Sequence, residues 1–111
     1  MRVSSVVPTR NRADFLRRCL ESCLSQGLDG AEVIVIDGAS TDGTVEILRS
    51  YGDRIRWLSE PDEGQADAVN KGIAMASGDL IAWINSDDSY ASPGTLRQVV
   101  GAFEADPEVD V

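Results

Sequence analysis

The residues best suited to chemistry in this chain are Asn85-Ser86-Asp87-Asp88, which follow five apolar residues in a row, Leu80-Ile81-Ala82-Trp83-Ile84. An apolar run bounded by Gly78-Asp79 and a polar cluster reads as a strand buried on both faces, as parallel sheets require. Two adjacent carboxylates at the end of such a strand repel, and ionising both is costly unless a cation or hydrogen-bond donors balance them. A divalent cation with oxygen ligands is the expected balancer, and one that keeps open positions takes phosphate oxygens as well. The expectation is a metal held at residues 85 to 88 against a diphosphate.

Polar residues close two other apolar runs. Pro8-Thr9-Arg10-Asn11-Arg12 follows Val3 to Val7, and Asp37 follows Glu32 to Ile36. Taken alone, the first segment reads as a strand-to-helix turn, since Pro at a strand end and Asn at a cap need no ligand. Its functional reading lines a nucleotide pocket with backbone groups and Thr9, and gives Arg10 or Arg12 to base stacking or phosphate charge. Asp37 also has two readings: bonding the amides of the next turn, or accepting a hydrogen bond from a base N–H, an ionised carboxylate being acceptor only. Ser40-Thr41-Asp42-Gly43 is turn and cap chemistry. Gln65 and Asp67, in the first turn of a helix, stand where they reach a sugar hydroxyl or a diphosphate, while a solvated helix face accounts for Asn70 and Lys71. Trp83, inside its strand, reads as core.

Periodicity supplies the elements that position these residues. Val3 to Val7 is a β-branched central strand stopped by Pro8. Phe15, Leu16, Cys19, Leu20, Cys23 and Leu24 recur at helical spacing, with Asn11 as cap and Gly27 as stop. Glu32 to Ile36 is a second buried strand, and Thr41 to about Tyr51 a second helix with Val45, Ile47 and Leu48 inward, ended by Gly52. Arg54 to Ser59 predicts a third strand nearer the sheet edge. Asp62 caps a helix from Glu63 to about Ser77 with Ala66, Val69, Ile73 and Ala76 on its core face. Ser92-Pro93 opens a last helix that buries Leu96, Val99, Val100 and Phe103 and ends near Asp106-Pro107; Val109 to Val111 starts another strand. Four strand–helix alternations make the chain α/β, with a mainly parallel sheet and helices on both faces. Ligands of such sheets sit beyond the carboxyl ends of the strands, where Thr9, Asp37 and Asp87 fall.

At 111 residues the chain is one domain or part of one, and 42% hydrophobic with 26% charged residues is ordinary globular composition. Nineteen acidic residues against ten basic give a net charge of −9. Such a surface repels phosphate backbones, so nucleic acid and anionic membrane are poor partners, and a nucleotide needs local help from a metal, an Arg or a backbone amide. There is no apolar run long enough for a transmembrane segment and no charged-then-apolar leader. The expected location is cytoplasmic, with peripheral attachment at the inner face of a membrane as its variant. No histidine is present, which removes His-based triads and zinc sites, and Cys19 and Cys23 share a helix face as buried thiols.

Four segments in order resemble the successive signatures of the family 2 glycosyltransferases: Ser5-Val6-Val7-Pro8-Thr9-Arg10-Asn11-Arg12, Val33 to Thr44 around Asp37-Gly38-Ala39-Ser40, the Gly64-Gln65-Ala66-Asp67 helix start, and Asn85-Ser86-Asp87-Asp88. The resemblance runs from residue 3 to about 103. It implies the Rossmann-like GT-A fold and places residues 1–111 as the donor-binding, N-terminal part of a single domain. Pro8 and Thr9 would border the nucleoside, with Arg10 and Asn11 beside them, Asp37 would meet a uracil-type base edge, and Gln65 and Asp67 would serve the sugar or diphosphate. Asp87 and Asp88 would serve the ribose and a Mg2+ or Mn2+ on the diphosphate, a Lewis acid for the leaving nucleotide. The implied reaction moves a sugar from a nucleotide-diphosphate sugar, of UDP type, to a hydroxyl of a saccharide or lipid-linked acceptor with inversion, aided by a carboxylate base. That base is expected beyond residue 111, and an exposed edge at the Leu80 strand favours a homodimer.

Three positions depart from the family pattern: Arg10 stands where many members have an aromatic residue, Gly38 replaces the second of a paired acid, and Asn85 begins a metal motif that often begins with Asp. A different class of function, a non-catalytic nucleotide-sugar-binding or interaction module, takes Gly38 and Asn85 as marks of a decayed site. A sugar-nucleotide synthesising enzyme would want a Gly-rich loop after the first strand, and a dehydrogenase a G-x-G-x-x-G; neither is present. A phospho-receiver domain also has acids at strand ends; the Lys it needs after its last strand would fall beyond residue 111, so that alternative stays open.

Overall fold

Seven consecutive buried residues, Val3–Thr9, form β1 and set the frame of the computed structural model, which describes residues 2–27, 30–90 and 94–105. The chain continues as α1 (Ala13–Leu24), β2 (Glu32–Asp37), α2 (Thr44–Ser50), a 3-10 turn (Gly52–Arg54), β3 (Arg56–Ser59), α3 (Gln65–Met75), β4 (Leu80–Trp83) and α4 (Thr95–Ala105). Strand order is β3-β2-β1-β4, every pairing parallel. Chain order runs outward from β1 to β3 and then returns to the other side of β1. The order therefore reverses between β1 and β4, where an open α/β sheet leaves a crevice.

Alternation along the strands divides the core. Val7, Val33 and Val35 pack against Leu16, Cys19, Leu20 and Cys23 of α1 and Leu48 of α2. Val3, on the same face of β1, packs against Leu96 and Val100 of α4. Ile34 and Ile36, on the opposite face, pack against Ala68 of α3. Gly72 brings α3 down onto β1: a Cβ there would lie 2.3 Å from Val6 Cγ1.

The structure moves several boundaries and faces. β4 is at the sheet edge among the described residues, as the exposed edge expected at the Leu80 strand requires, but it is not buried on both faces and Trp83 is 54% exposed rather than core, because α3 lies over β1 and β2 and leaves the Ile81–Trp83 face of β4 uncovered. Ile73 and Phe15 are likewise exposed; α3 instead buries Ala68, Val69 and Gly72. The N-cap of α1 is Arg12, not Asn11, and that of α3 is Gly64, not Asp62. α2 begins at Thr44 rather than Thr41, after Gly43. The Ser92-Pro93 cap, the Phe103 side chain, the Asp106-Pro107 end and the Val109 to Val111 strand lie outside the described residues. No helix among the described residues is long and apolar enough to cross a membrane.

Candidate functional site

The crevice between the tips of β1 and β4 holds a cavity of about 290 Å³, lined by Pro8, Thr9, Arg10, Arg12, Asp62, Gly64, Gln65, Ala68, Asn85, Ser86 and Asp87. Three loops supply it: the one after β1, the one between β3 and α3, and the one after β4. Each follows the carboxyl end of a parallel strand, so the fold collects them by construction.

Thr9 is the residue with an unmet need. It is buried, 6% exposed, its Oγ1 has no hydrogen-bond partner among the described residues, and the residue forms part of the cavity wall. Burial of a hydroxyl without a partner costs free energy, so such atoms in native structures call for an explanation.

Asp37 is not part of the cavity wall. It is fully buried; Oδ2 accepts from Ser40 N at 3.0 Å and Ser59 Oγ at 2.8 Å, and Oδ1 accepts from Ser40 Oγ. Asn11 is also part of the loop framework: its amide donates to Ser40 Oγ (2.8 Å), and its Oδ1 accepts from Thr41 N (2.9 Å). Asp42 caps α1 from across the gap by accepting from Ala13 N at 3.0 Å; the Thr44 hydroxyl, with that amide, pulls its carboxyl below the usual range.

The loop carrying Asp62 is clamped. Lys71 Nζ lies 3.0 Å from Glu60 Oε1 and 3.6 Å from Asp67 Oδ2 and donates to the Pro61 carbonyl at 3.1 Å; Glu60 is the main reason its pKa is raised. Asp67 also accepts from Glu63 N at 3.0 Å, so it holds the loop and does not line the cavity. Asp62 Oδ1 accepts from Gly64 N at 3.0 Å, a turn contact rather than a helix cap.

On the β4 side, Asn85 Oδ1 accepts from Gln65 Nε2 and from Trp83 Nε1 (3.1 Å), which ties the acidic loop to the start of α3. The Asn85 carbonyl accepts from Asp88 N (2.9 Å) and from the Cys19 thiol (3.6 Å). Asp87 lines the cavity and Asp88 does not; both are exposed. Their exposure alters the electrostatic premise, because water screens the repulsion between them and no buried charge demands a counter-ion. Among the described residues no group of three or more His, Cys, Asp or Glu is placed to hold a metal.

Of the residues picked out from sequence, Pro8, Thr9, Arg10, Gln65 and Asp87 thus meet at one cavity, while Asn11, Asp37, Asp67 and Asp88 stand outside its wall. Sequence reasoning missed Asp62 as a residue of the cavity wall. The pattern around Asp62 offered a helix cap, and only the approach of the β3–α3 loop to the β1 tip reveals another use.

The sequence model for glycosyl transferase family 2 matches residues 4–111. An uncharacterized glycosyltransferase of Mycobacterium tuberculosis is 41% identical over 103 residues, covering 91% of this chain and 39% of that protein. The chain spans 28% of the length of an uncharacterized glycosyltransferase of Rickettsia typhi, 35% identical over 88 residues. Among solved structures, a mannosyltransferase of Pyrobaculum calidifontis in complex with GDP-Man and Mn2+ matches with a TM-score of 0.88 at 30% identity, over 96% of this chain and 33% of that one. TarS 1-349 of S. aureus in complex with UDP-GlcNAc matches with a TM-score of 0.82 at 26% identity, over 95% and 32%. The GT-A fold expected from the sequence is the fold these neighbours share with it. A sequence match that runs through every strand and helix from β1 to α4, on a backbone of that fold, means that the chain belongs to glycosyl transferase family 2.

Proposed function

We propose that this chain is the donor-binding part of an inverting, metal-assisted glycosyltransferase, and that the cavity between β1 and β4 receives a nucleotide-diphosphate sugar. Thr9, a cavity-wall residue at the strand-order reversal with a buried, unpartnered hydroxyl, carries the reading, since a ligand polar group that gains access to that hydroxyl completes its bonding. Pro8 and Thr9 border the nucleoside, and the exposed Arg10 and Arg12 offer planar cations for a base face or phosphate charge. Gln65, held by Asn85, and Asp87 face the rest of the donor.

The donor set of the acidic loop fits a cation that is shared with the ligand. Asp87 and Asp88 are two exposed hard anionic oxygen donors, too few to enclose Mg2+ or Mn2+ and suited to one whose other positions take phosphate oxygens. When bound, such a cation supplies charge compensation for the departing diphosphate. A saccharide or lipid-linked hydroxyl is the proposed acceptor; no residue of this chain is assigned as the base that takes its proton.

Calorimetric titration of the folded chain with UDP and GDP, with and without Mn2+, tests the reading. Metal-dependent binding of a nucleoside diphosphate is expected; no heat for any of them with metal present sinks it. Asp88→Ala separates the enzymatic donor site from a merely scaffolding module, abolishing metal-dependent binding in the first case and changing little in the second.

A further inference from the structure

Gly38 leaves a space that a carboxylate from another loop fills. A Cβ at Gly38 would stand 2.9 Å from Asp62 Oδ2 and 3.5 Å from Arg10 Cδ, so Asp62 and the Arg10 stem converge over this glycine at the cavity wall. Gly38 is also bonded to the β1 tip, its amide donating to the Thr9 carbonyl at 2.9 Å. Asp37, the neighbouring acid, has three donors on its two oxygens and no exposed surface. With no surface exposed, it is closed to a ligand in this arrangement of the loops. Asp62 Oδ1 is held by Gly64 N, whereas Oδ2 makes no hydrogen bond among the described residues. The Lys71 clamp on Glu60 and Pro61 fixes the loop that presents it.

Resting on the donor-site reading above, we propose that Asp62, reaching over Gly38, is the specificity-determining residue for the base of the nucleotide, and that it selects uracil. An ionised carboxylate only accepts. Uracil presents one ring N–H, at N3, between two carbonyls, which suits one free carboxylate oxygen. Cytosine and adenine present a lone pair at the corresponding ring nitrogen and are repelled. Guanine presents two adjacent N–H groups, best met by both oxygens of one carboxylate, and here Oδ1 is already engaged. Gly38 is required because any side chain there displaces the Asp62 carboxylate.

The test is titration of the whole chain with UDP, CDP, GDP and ADP, each with Mn2+, for the wild type and for Asp62→Asn, Gly38→Ala and Asp37→Asn, with thermal melts to establish folding. Wild type should bind UDP at least about tenfold more tightly than CDP, as unpaired or opposed polar groups discriminate strongly. Asp62→Asn should erase or invert that ratio, since an amide can turn its N–H toward cytosine N3. Gly38→Ala, which meets only the end of a flexible side chain, should stay folded and narrow the ratio. A wild-type preference for GDP, an unchanged UDP:CDP ratio in Asp62→Asn, or loss of the ratio in folded Asp37→Asn alone overturns the assignment while leaving donor binding intact. If wild type binds no nucleoside diphosphate, the donor-site reading falls and the assignment with it.

Discussion

Replacing Thr9 by Val should make the empty protein more stable and the nucleotide complex weaker. Thr and Val share β-branching and shape, so the strand conformation and the packing of this 6% exposed residue are kept. What changes is a hydroxyl that has no partner among the described residues. Its burial costs about 1–3 kcal/mol. Removing it should return about 1–2 kcal/mol, a rise of roughly 4–8 °C in melting midpoint for a domain of this size. The ligand loses one hydrogen bond of about 0.5–1.5 kcal/mol, a roughly three- to tenfold weaker UDP affinity. Thermal melts without ligand and calorimetry with UDP and Mn2+ measure both quantities. Thr9→Ser, which keeps the hydroxyl and drops a methyl, should do the reverse, melting lower with affinity held. A midpoint that fails to rise in Thr9→Val, together with unchanged UDP affinity, refutes the view that this hydroxyl waits for a ligand.

Gly72→Ala should destabilise by about 1–2 kcal/mol, because overpacking against Val6 Cγ1 exceeds the gain of about 1 kcal/mol in helix propensity. Adding Val6→Ala should recover part of that loss in a double-mutant cycle followed by urea unfolding; a higher midpoint for Gly72→Ala alone contradicts the close approach. Glu32 is the pH probe. Burial disfavours its charge, but the Ser4 hydroxyl, the Ser77 amide and hydroxyl and Arg56 outweigh burial and hold it at about 2 against an ordinary 4.5. A depressed carboxyl stabilises above its unfolded value and loses that contribution as pH falls, here between 4.5 and about 2. Glu32→Gln should therefore cost about 2–3 kcal/mol at neutral pH. It should also flatten the acid limb of unfolding between those values; an acid limb identical to wild type denies Glu32 that role.

The parallel α/β order was legible because it follows from long periodic segments: Val3 to Val7 and Glu32 to Ile36 are buried runs, and the Leu16–Cys19–Leu20–Cys23 spacing admits only a helix. The Leu80 run misled because an apolar edge strand and a fully covered one have the same composition. Whether Trp83 is core or surface depends on where α3 crosses the sheet, and the Gly72–Val6 contact that sets this joins residues 66 apart in sequence. The cavity was legible to the extent that it is made of strand ends. Asp62 was not, since its position is set by the absence of a side chain at Gly38 and by the Lys71 clamp, and neither leaves a local pattern.

The acids and amides that a motif singles out also divide the labour differently from what their types suggest. Asn11 joins the β1 tip to the β2 loop through Ser40 and Thr41; Ser40 and Ser59 both end on Asp37, and Asp42 reaches back to the start of α1. This brace links the ends of β1, β2 and β3, and it leaves Ala39 in the left-handed region at φ 57, a strained conformation that surrounding bonds must hold. A ligand recruiting the buried Asp37 directly would have to open the brace. In the proposed donor site the brace would hold Thr9 and Asp62 each close to Gly38 in advance of the nucleotide, which lowers the ordering cost of binding. Breaking the brace should therefore reduce affinity for all nucleoside diphosphates alike, whereas altering Asp62 should change the ranking among them.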